Sequence, residues 1–333
     1  MKLLSEADVY ALANPDEAIR ASRVAFEALS SGQADMPIRA EIHRPDVGGV
    51  ILVMPGLIRD RVFGLKIIAN RRREGAEGLA TTSMILLFEA DSLAPLGLVS
   101  SDYFTDFRTA AGLAAATDEL ARPDARVLAV YGSGKLSEPS VRLIARVRSL
   151  ERVILVGRTP SRVAALAERL RRDPLPGNPR IDIDIGPDDA AEKADIVTAV
   201  TSAVAPVFDG RRIRPGTHIN AGGAFQPTTR EVDDHVAGRA CCYVDSMASC
   251  LERAGDIRIP LDSGVLDRRR LRGEIGACLA GRIPGRQSRD EITMFKSLGT
   301  AVQDLILCED LLHKVGSAHG MTFDHLGDSA CMA

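Results

Sequence analysis

The distribution of apolar residues changes character near residue 105. Before that point the apolar positions first follow a helical spacing and then alternate as in strands. Ser5 is a candidate N-cap for an opening helix. Residues 15 to 29 set Ala18, Ala21, Val24, Ala25 and Leu29 at helical spacing, which predicts a second helix. From residue 37 to about 99, short runs over 38–42, 50–54, 62–68 and 81–88 read as strands, punctuated by Pro, Asp and Gly. They predict an antiparallel sheet with an edge or a face left for a partner subunit.

Beyond residue 105, strands and helices alternate. A helix is expected over 110–120, ended by Pro123-Asp124, and strands over 127–131, 153–156, 181–185, 196–200, 218–220 and 243–244. Helices such as 161–171 lie between them. Near-continuous apolar strands in this alternation indicate a parallel sheet covered on both faces. The fold class is therefore α/β, with a Rossmann-type doubly wound sheet over residues 116–300. Residues 1–115, with about 301–333, form an N-terminal α+β domain completed by an amphipathic helix over 296–315. The tail from Ser317 reads as loosely ordered.

Composition narrows the function. A length of 333 residues suits two domains, and 45% hydrophobic with 26% charged residues excludes a disordered chain. Lys+Arg 42 against Asp+Glu 45 gives a net charge of −3, too balanced for an electrostatic nucleic-acid binder. Aromatics at 4%, with no Trp, argue against base-stacking platforms and a membrane aromatic belt. No apolar run approaches the roughly eighteen residues of a membrane span, and the N-terminus is acidic from Glu6 onward, unlike a signal peptide. A soluble cytoplasmic protein is expected. The cysteines at 241, 242, 250, 278, 308 and 331 form no CxxC pair and have no His at zinc-site spacing. The six histidines form no ligand cluster, so no metal is expected, and His218 reads as a core residue inside its strand. The runs 71–73 and 268–270 read as solvated arginines.

The first strand of the parallel sheet runs into Gly132-Ser133-Gly134-Lys135-Leu136-Ser137. The two glycines permit a tight turn and a close approach to a pyrophosphate, and the helix that follows offers free N–H donors. Ser137 takes the place of the third glycine of GxGxxG, which marks a dinucleotide site when it follows a strand. The second strand ends without the acid that reads an NAD ribose. Arg158, Thr159 and Arg162 stand there instead, two guanidinium groups able to hold a 2′-phosphate or simply to solvate a loop. NADP(H) is expected over NAD(H), with NAD(H) still possible.

Further segments are similar to the ornithine cyclodeaminase/mu-crystallin family: Met36-Pro37-Ile38-Arg39, Gly64-Leu65-Lys66, Phe107-Arg108-Thr109-Ala110-Ala111 and Ala194-Asp195-Ile196-Val197. Gly216 to Ala221, Arg230-Glu231-Val232-Asp233, Ala254-Gly255-Asp256 and Met294-Phe295-Lys296-Ser297-Leu298-Gly299 continue the series in order across about 5–315. The resemblance implies a homodimer, a nicotinamide cofactor in the Rossmann domain and a small amino- or imino-acid substrate. It places substrate-carboxylate ligands on Arg39, Lys66, Thr82 and Arg108, with Lys66 and Arg108 as the catalytic pair and Lys66 a candidate proton donor. It further places Thr109 on a phosphate, Thr201 at the cofactor crevice and Asn220 near the nicotinamide. The Phe295–Gly299 stretch closes over the ring, while Ser297 also serves as a candidate N-cap for the last helix. Lys135-Leu136 departs from the family's usual Gln-Ala, leaving Lys135 on a phosphate or in solvent.

One departure bears on the reaction. Family cyclodeaminases carry an aspartate in the loop after the fifth strand, and here that position is Phe225. A phenyl ring cannot pair with the distal ammonium of ornithine, whose desolvation against it is costly. The expectation is an NAD(P)H-dependent reductase of an imine of a 2-oxo acid, cyclic or formed with an amine, with Phe225 lining an apolar wall. The alternatives are an amino-acid dehydrogenase or cyclodeaminase using Asp106, Glu231 or Asp233 as its acid, and a catalytically silent, crystallin-like NADPH-binding protein.

Overall fold

The computed structural model describes residues 1–72, 79–184, 186–315 and 320–322. Most of the tail from Ser317 lies outside them, as do Arg73, Ile185 and Cys331. The chain divides into two compact units, one of Met1–Asn14, Gly32–Thr105 and Ala301 onward, the other of Pro15–Ser31 and Asp106–Thr300.

The first unit holds an eight-stranded mixed sheet. Its centre is an antiparallel meander of Gly49–Ile58, Val62–Arg72, Leu79–Glu89 and Pro95–Ser100, with Ala40–Arg44 beside Gly49–Ile58. Lys2–Leu4 adds a parallel strand next to Pro95–Ser100, so the sheet is not wholly antiparallel. The period-2 pattern sends Leu52, Met54, Gly56 and Ile58, with Val62, Gly64 and Lys66, to one face. The helix Ala301–Lys314 packs on this face. Leu305 fills the room left by the cross-strand partners Gly56 and Gly64. Ser5 caps the first helix, Glu6–Leu12, in a reciprocal capping box with Asp8.

The second unit holds an eight-stranded sheet paired in parallel throughout. Its order is Arg180–Asp184, Arg152–Val156, Val127–Tyr131, Ile196–Ala199, His218–Ala221, Thr293–Lys296, Cys241–Val244, Leu271–Glu274. The order reverses between Val127–Tyr131 and Ile196–Ala199, the place where doubly wound sheets bind their ligands at the carboxyl ends of the strands.

Three expectations are corrected. The stretch expected to begin the last helix at 296 is instead a strand, Thr293–Lys296, inserted between His218–Ala221 and Cys241–Val244. Its β-branched and aromatic residues are fully buried, and a strand buried on both faces shows no alternation to betray it. The last helix accordingly spans Ala301–Lys314 and is buried on nearly all sides rather than amphipathic. The helix Pro15–Ser30, assigned from the sequence to the first domain, groups with the second unit. It packs against Ile275–Leu279, with Phe26 edge-on to Phe295 at 5.9 Å. The division between units falls at Thr105/Asp106, inside the helix Asp102–Leu120, and not near 115.

Candidate active site

In the second unit, the strand Val127–Tyr131 delivers Gly132 at φ +121°, a conformation that L side chains rarely adopt. A Cβ there would also run into the Val200 carbonyl, so the turn requires glycine. Gly134 differs: a Cβ on it would meet no atom within 4 Å, so its backbone lies open. Ser133 is half-buried and Lys135 exposed. Leu136 occupies the N-cap of the helix Ser137–Val147, and no side chain caps that helix. An uncapped helix start behind an open glycine fits a pyrophosphate. Arg158, Thr159 and Arg162 are all exposed where Arg152–Val156 meets the helix Pro160–Arg172. Thr109 is half-buried beside Arg108 on the helix Asp102–Leu120.

Three residues expected at the cofactor have other work. Asn220 is wholly buried; its Nδ2 donates to Thr117 Oγ1 (2.8 Å) and Thr198 Oγ1 (3.2 Å), and its Oδ1 meets His218 Nε2 (3.1 Å). It ties strands together and presents no atom to a nicotinamide. Burial above all pushes His218 down to about 3, so it stays neutral in this network. Ser297 donates from Oγ to Asp245 Oδ2 (2.9 Å), accepts from Gly299 N (3.2 Å) and is equally buried, so it braces the turn before the last helix. Thr201 stands at the crevice, but its N–H and hydroxyl both donate to Glu231 Oε1 (2.6 and 2.8 Å).

Glu231 is one of the acids that could stand in for the missing aspartate. It is buried, and its other oxygen accepts the N–H groups of Gly223 (2.7 Å) and Ala224 (3.0 Å). Burial raises its carboxyl above the usual range, with the nearby Lys296 opposing. The loop that presents Phe225 is thus pinned from below, and Phe225 itself is 45% exposed. Lys296 Nζ also donates to the Ala224 carbonyl and pairs with Asp256 at 2.8 Å. Asp233, the second candidate, caps the helix Asp234–Arg239 and accepts from Gly210 N, so both acids hold backbone N–H groups.

Arg108 is buried, its guanidinium against Gly299, where a Cβ would overlap it. Gly299 holds φ +78° because Asp245 Oδ2 accepts the N–H groups of Leu298 (2.7 Å) and Gly299 (2.8 Å). The turn after Thr293–Lys296 therefore shapes the seat of Arg108.

In the first unit, Lys66 Nζ donates to Asp304 Oδ1 at 3.1 Å, and neither side chain is exposed. Arg39 is half-buried just before the strand Ala40–Arg44. The first residue of that strand, Ala40, pairs with Val53, next to Met54, the pair of Lys66. Thr82 is exposed and pairs with Ala69, which alternation directs to the sheet face opposite Lys66. The expected grouping of Thr82 with Lys66 is therefore corrected. Thr81, which donates to Asn70 Oδ1 at 2.7 Å, shares the lysine's face. Nothing in the sequence separates Thr81 from Thr82, because the parity follows from the register with Val62–Arg72. Asp304 was also missed, although an acid inside Ala301-Val302-Gln303-Asp304-Leu305-Ile306 is an anomaly visible in the sequence. Among the described residues no His, Cys, Asp and Glu cluster fits a metal, and the five described cysteines are free and buried.

The sequence pattern of the ornithine cyclodeaminase/mu-crystallin family matches residues 1–315. The chain belongs to this family. It is 30% identical over 317 residues to a Delta(1)-pyrroline-2-carboxylate reductase of Bacillus cereus, covering 94% of this chain and 96% of the relative. The Thermococcus litoralis Delta(1)-pyrroline-2-carboxylate reductase, solved in complex with NADH and L-proline, superposes with a TM-score of 0.90 at 30% identity, over 97% of this chain and all of that one. An archaeal alanine dehydrogenase dimer with bound NAD shares the fold at a TM-score of 0.87 and 24% identity, over 97% of this chain and 99% of that one. No helix among the described residues is long and apolar enough to cross a membrane.

Proposed function

We propose that the protein reduces the imine of a 2-oxo acid to the amino acid with a reduced nicotinamide dinucleotide, a cyclic ketimine such as Δ1-pyrroline-2-carboxylate being the leading substrate. The observation that carries this reading is the full-length likeness to a reductase bound to NADH and L-proline. Phe225 supports it, since imine reduction needs no distal acid at that place. The bound cofactor supplies a hydride to the imine carbon.

The remaining chemistry belongs to the chain. Arg39 and Arg108 bind the substrate carboxylate through guanidinium forks, with Lys66 as a point charge and as donor of the proton that the imine nitrogen takes. Phe225 offers the ring an apolar wall. Gly132, Ser133, Gly134, Lys135 and Leu136 receive the pyrophosphate, with Thr109 on a phosphate and Thr201 alongside. Arg158, Thr159 and Arg162 receive an adenosine 2′-phosphate, which makes NADPH the preferred cofactor; with NADH the same site works at lower affinity.

The protein acts as a homodimer through the sheet face of the first unit opposite the helix Ala301–Lys314. Rows such as Ile42, Ile51 and Ala69, then Val53, Ile67 and Met84, make that face apolar, and Ile42, Ile67 and Met84 are exposed on it.

The test is oxidation of NADPH and NADH with Δ1-pyrroline-2-carboxylate, Δ1-piperideine-2-carboxylate and acyclic imino acids. Turnover on a cyclic imine, abolished by Lys66→Met and by Arg108→Ala with cofactor binding retained, is expected. Tight NADPH binding without turnover on any imine identifies a silent binding protein instead. Ammonia release from ornithine or lysine identifies a cyclodeaminase.

A further inference from the structure

We propose that Asp304 is the positioning residue of Lys66, holding it as an ammonium with its proton fixed for delivery. The inference rests on the reading above, in which Lys66 is the proton donor.

Lys66 lies mid-strand, in a cross-strand row with Met54 and Ile85. Both residues paired with it in that row are apolar. The helix Ala301–Lys314 covers this face and contributes Asp304, 3.1 Å from Nζ, with both side chains sealed from solvent. A buried ammonium without a counter-charge gives up its proton readily, and a neutral amine cannot act as the acid. Cys308, one turn along the helix, also feels both charges, but burial pushes its thiol well above the usual range, so it adds none. Glu309 and Asp310 are drawn to Arg61, the latter at 3.6 Å. Asp304 is thus the carboxylate poised on Lys66 from the covering helix.

The proton balance follows. The imine carbon gains the hydride as the reduced nicotinamide is oxidised, and the C=N π pair becomes a nitrogen lone pair. That nitrogen takes the proton from Lys66 Nζ. The Lys66 amine left behind is reprotonated from water.

Asp304→Asn keeps the shape and removes the charge, while Asp304→Glu keeps the charge. We expect the alkaline limb of the kcat/KM profile for Δ1-pyrroline-2-carboxylate to move down by at least about one pH unit in the Asn variant. The low-pH plateau should stay within about threefold of wild type, a proportion that a purely structural defect would not preserve, and Glu should restore the limb. The second readout needs no activity. The chain has six lysines, so protein labelled at lysine Cε gives few signals, and Lys66→Met identifies the one at 66. Its titration should fall to lower pH in Asp304→Asn. An unchanged pH profile together with an unchanged Lys66 titration overturns the proposal. If the Asn variant does not fold, the wild-type signal decides: an ammonium from pH 6 to 9 supports the proposal, and a neutral amine at pH 7 overturns it. If wild type reduces no imine, the functional reading fails while the titration still judges Asp304.

Discussion

Arg158 and Arg162 stand in solvent at the end of the second strand of the parallel sheet, and among the described residues no ion pair holds either one. Free, exposed guanidinium groups at the adenosine end are suited to a 2′-phosphate. A charged hydrogen bond of this kind contributes roughly 1.5–3 kcal/mol, about ten- to a hundredfold in affinity. Replacing both by alanine should therefore raise the KM for NADPH by that factor and leave the KM for NADH within about twofold, as steady-state kinetics with both cofactors will read. Tighter binding of NADH by the wild type would sink the preference. A second residue-scale prediction comes from strand parity. Thr81→Ala should raise the KM for the imino acid several-fold, and Thr82→Ala should not, because Thr82 lies on the face away from Lys66. The residue type at 81 and 82 was legible in the sequence; the parity was not, because it depends on where the strand keeps its register with Val62–Arg72.

At the scale of elements, the sequence located most strands of the parallel sheet to within a residue or two, since runs such as Val127-Leu128-Ala129-Val130-Tyr131 are too apolar for any other role. It lost Thr293–Lys296 and Leu271–Glu274. The first is short and overlaps the expected last helix at Lys296, and the second carries Arg272 and Glu274 on an edge. The bracing between elements was hidden too, because Asn220, Ser297 and Asp245 are ordinary polar residues until burial gives each a partner. His218 allows a test. It is neutral and buried, with its folded value lowered to about 3 from 6.5. Below pH 6.5 the unfolded chain takes a proton that the folded chain refuses, so stability falls with pH down to about 3, by about 1.4 kcal/mol per unit for this one group. His218→Gln, which keeps polar atoms in the network but cannot titrate, should flatten that slope by about one proton in denaturant unfolding between pH 4 and 6. An unchanged slope would show that His218 is not held neutral.

For the whole molecule, the decisive surface is the bare face of the first unit's sheet. One face is covered by Ala301–Lys314, and a mixed sheet of this kind is stable with its other face polar and wet. Here that face carries Ile42, Ile51, Val53, Leu57, Phe63, Leu65, Ile67, Met84, Leu86 and Phe88, with Phe63 and Phe88 stacked at 4.8 Å. Four strands about 4.8 Å apart and four same-face positions about 6.8 Å apart make roughly 500 Å² of flat sheet, before side-chain relief is counted. That approaches the roughly 800 Å² per partner of a standard interface, and it exceeds what isolated apolar surface residues account for. A twofold self-pairing is the simplest closed way to bury it. Light scattering on the eluted protein should therefore give twice the 35.7 kDa chain mass. Ile67→Glu with Met84→Glu buries four like charges across such an axis, two from each subunit, and should yield monomers with unchanged far-ultraviolet dichroism. A wild type that elutes as a monomer at micromolar concentration removes this face as the interface. A variant that stays dimeric moves the interface elsewhere on the chain.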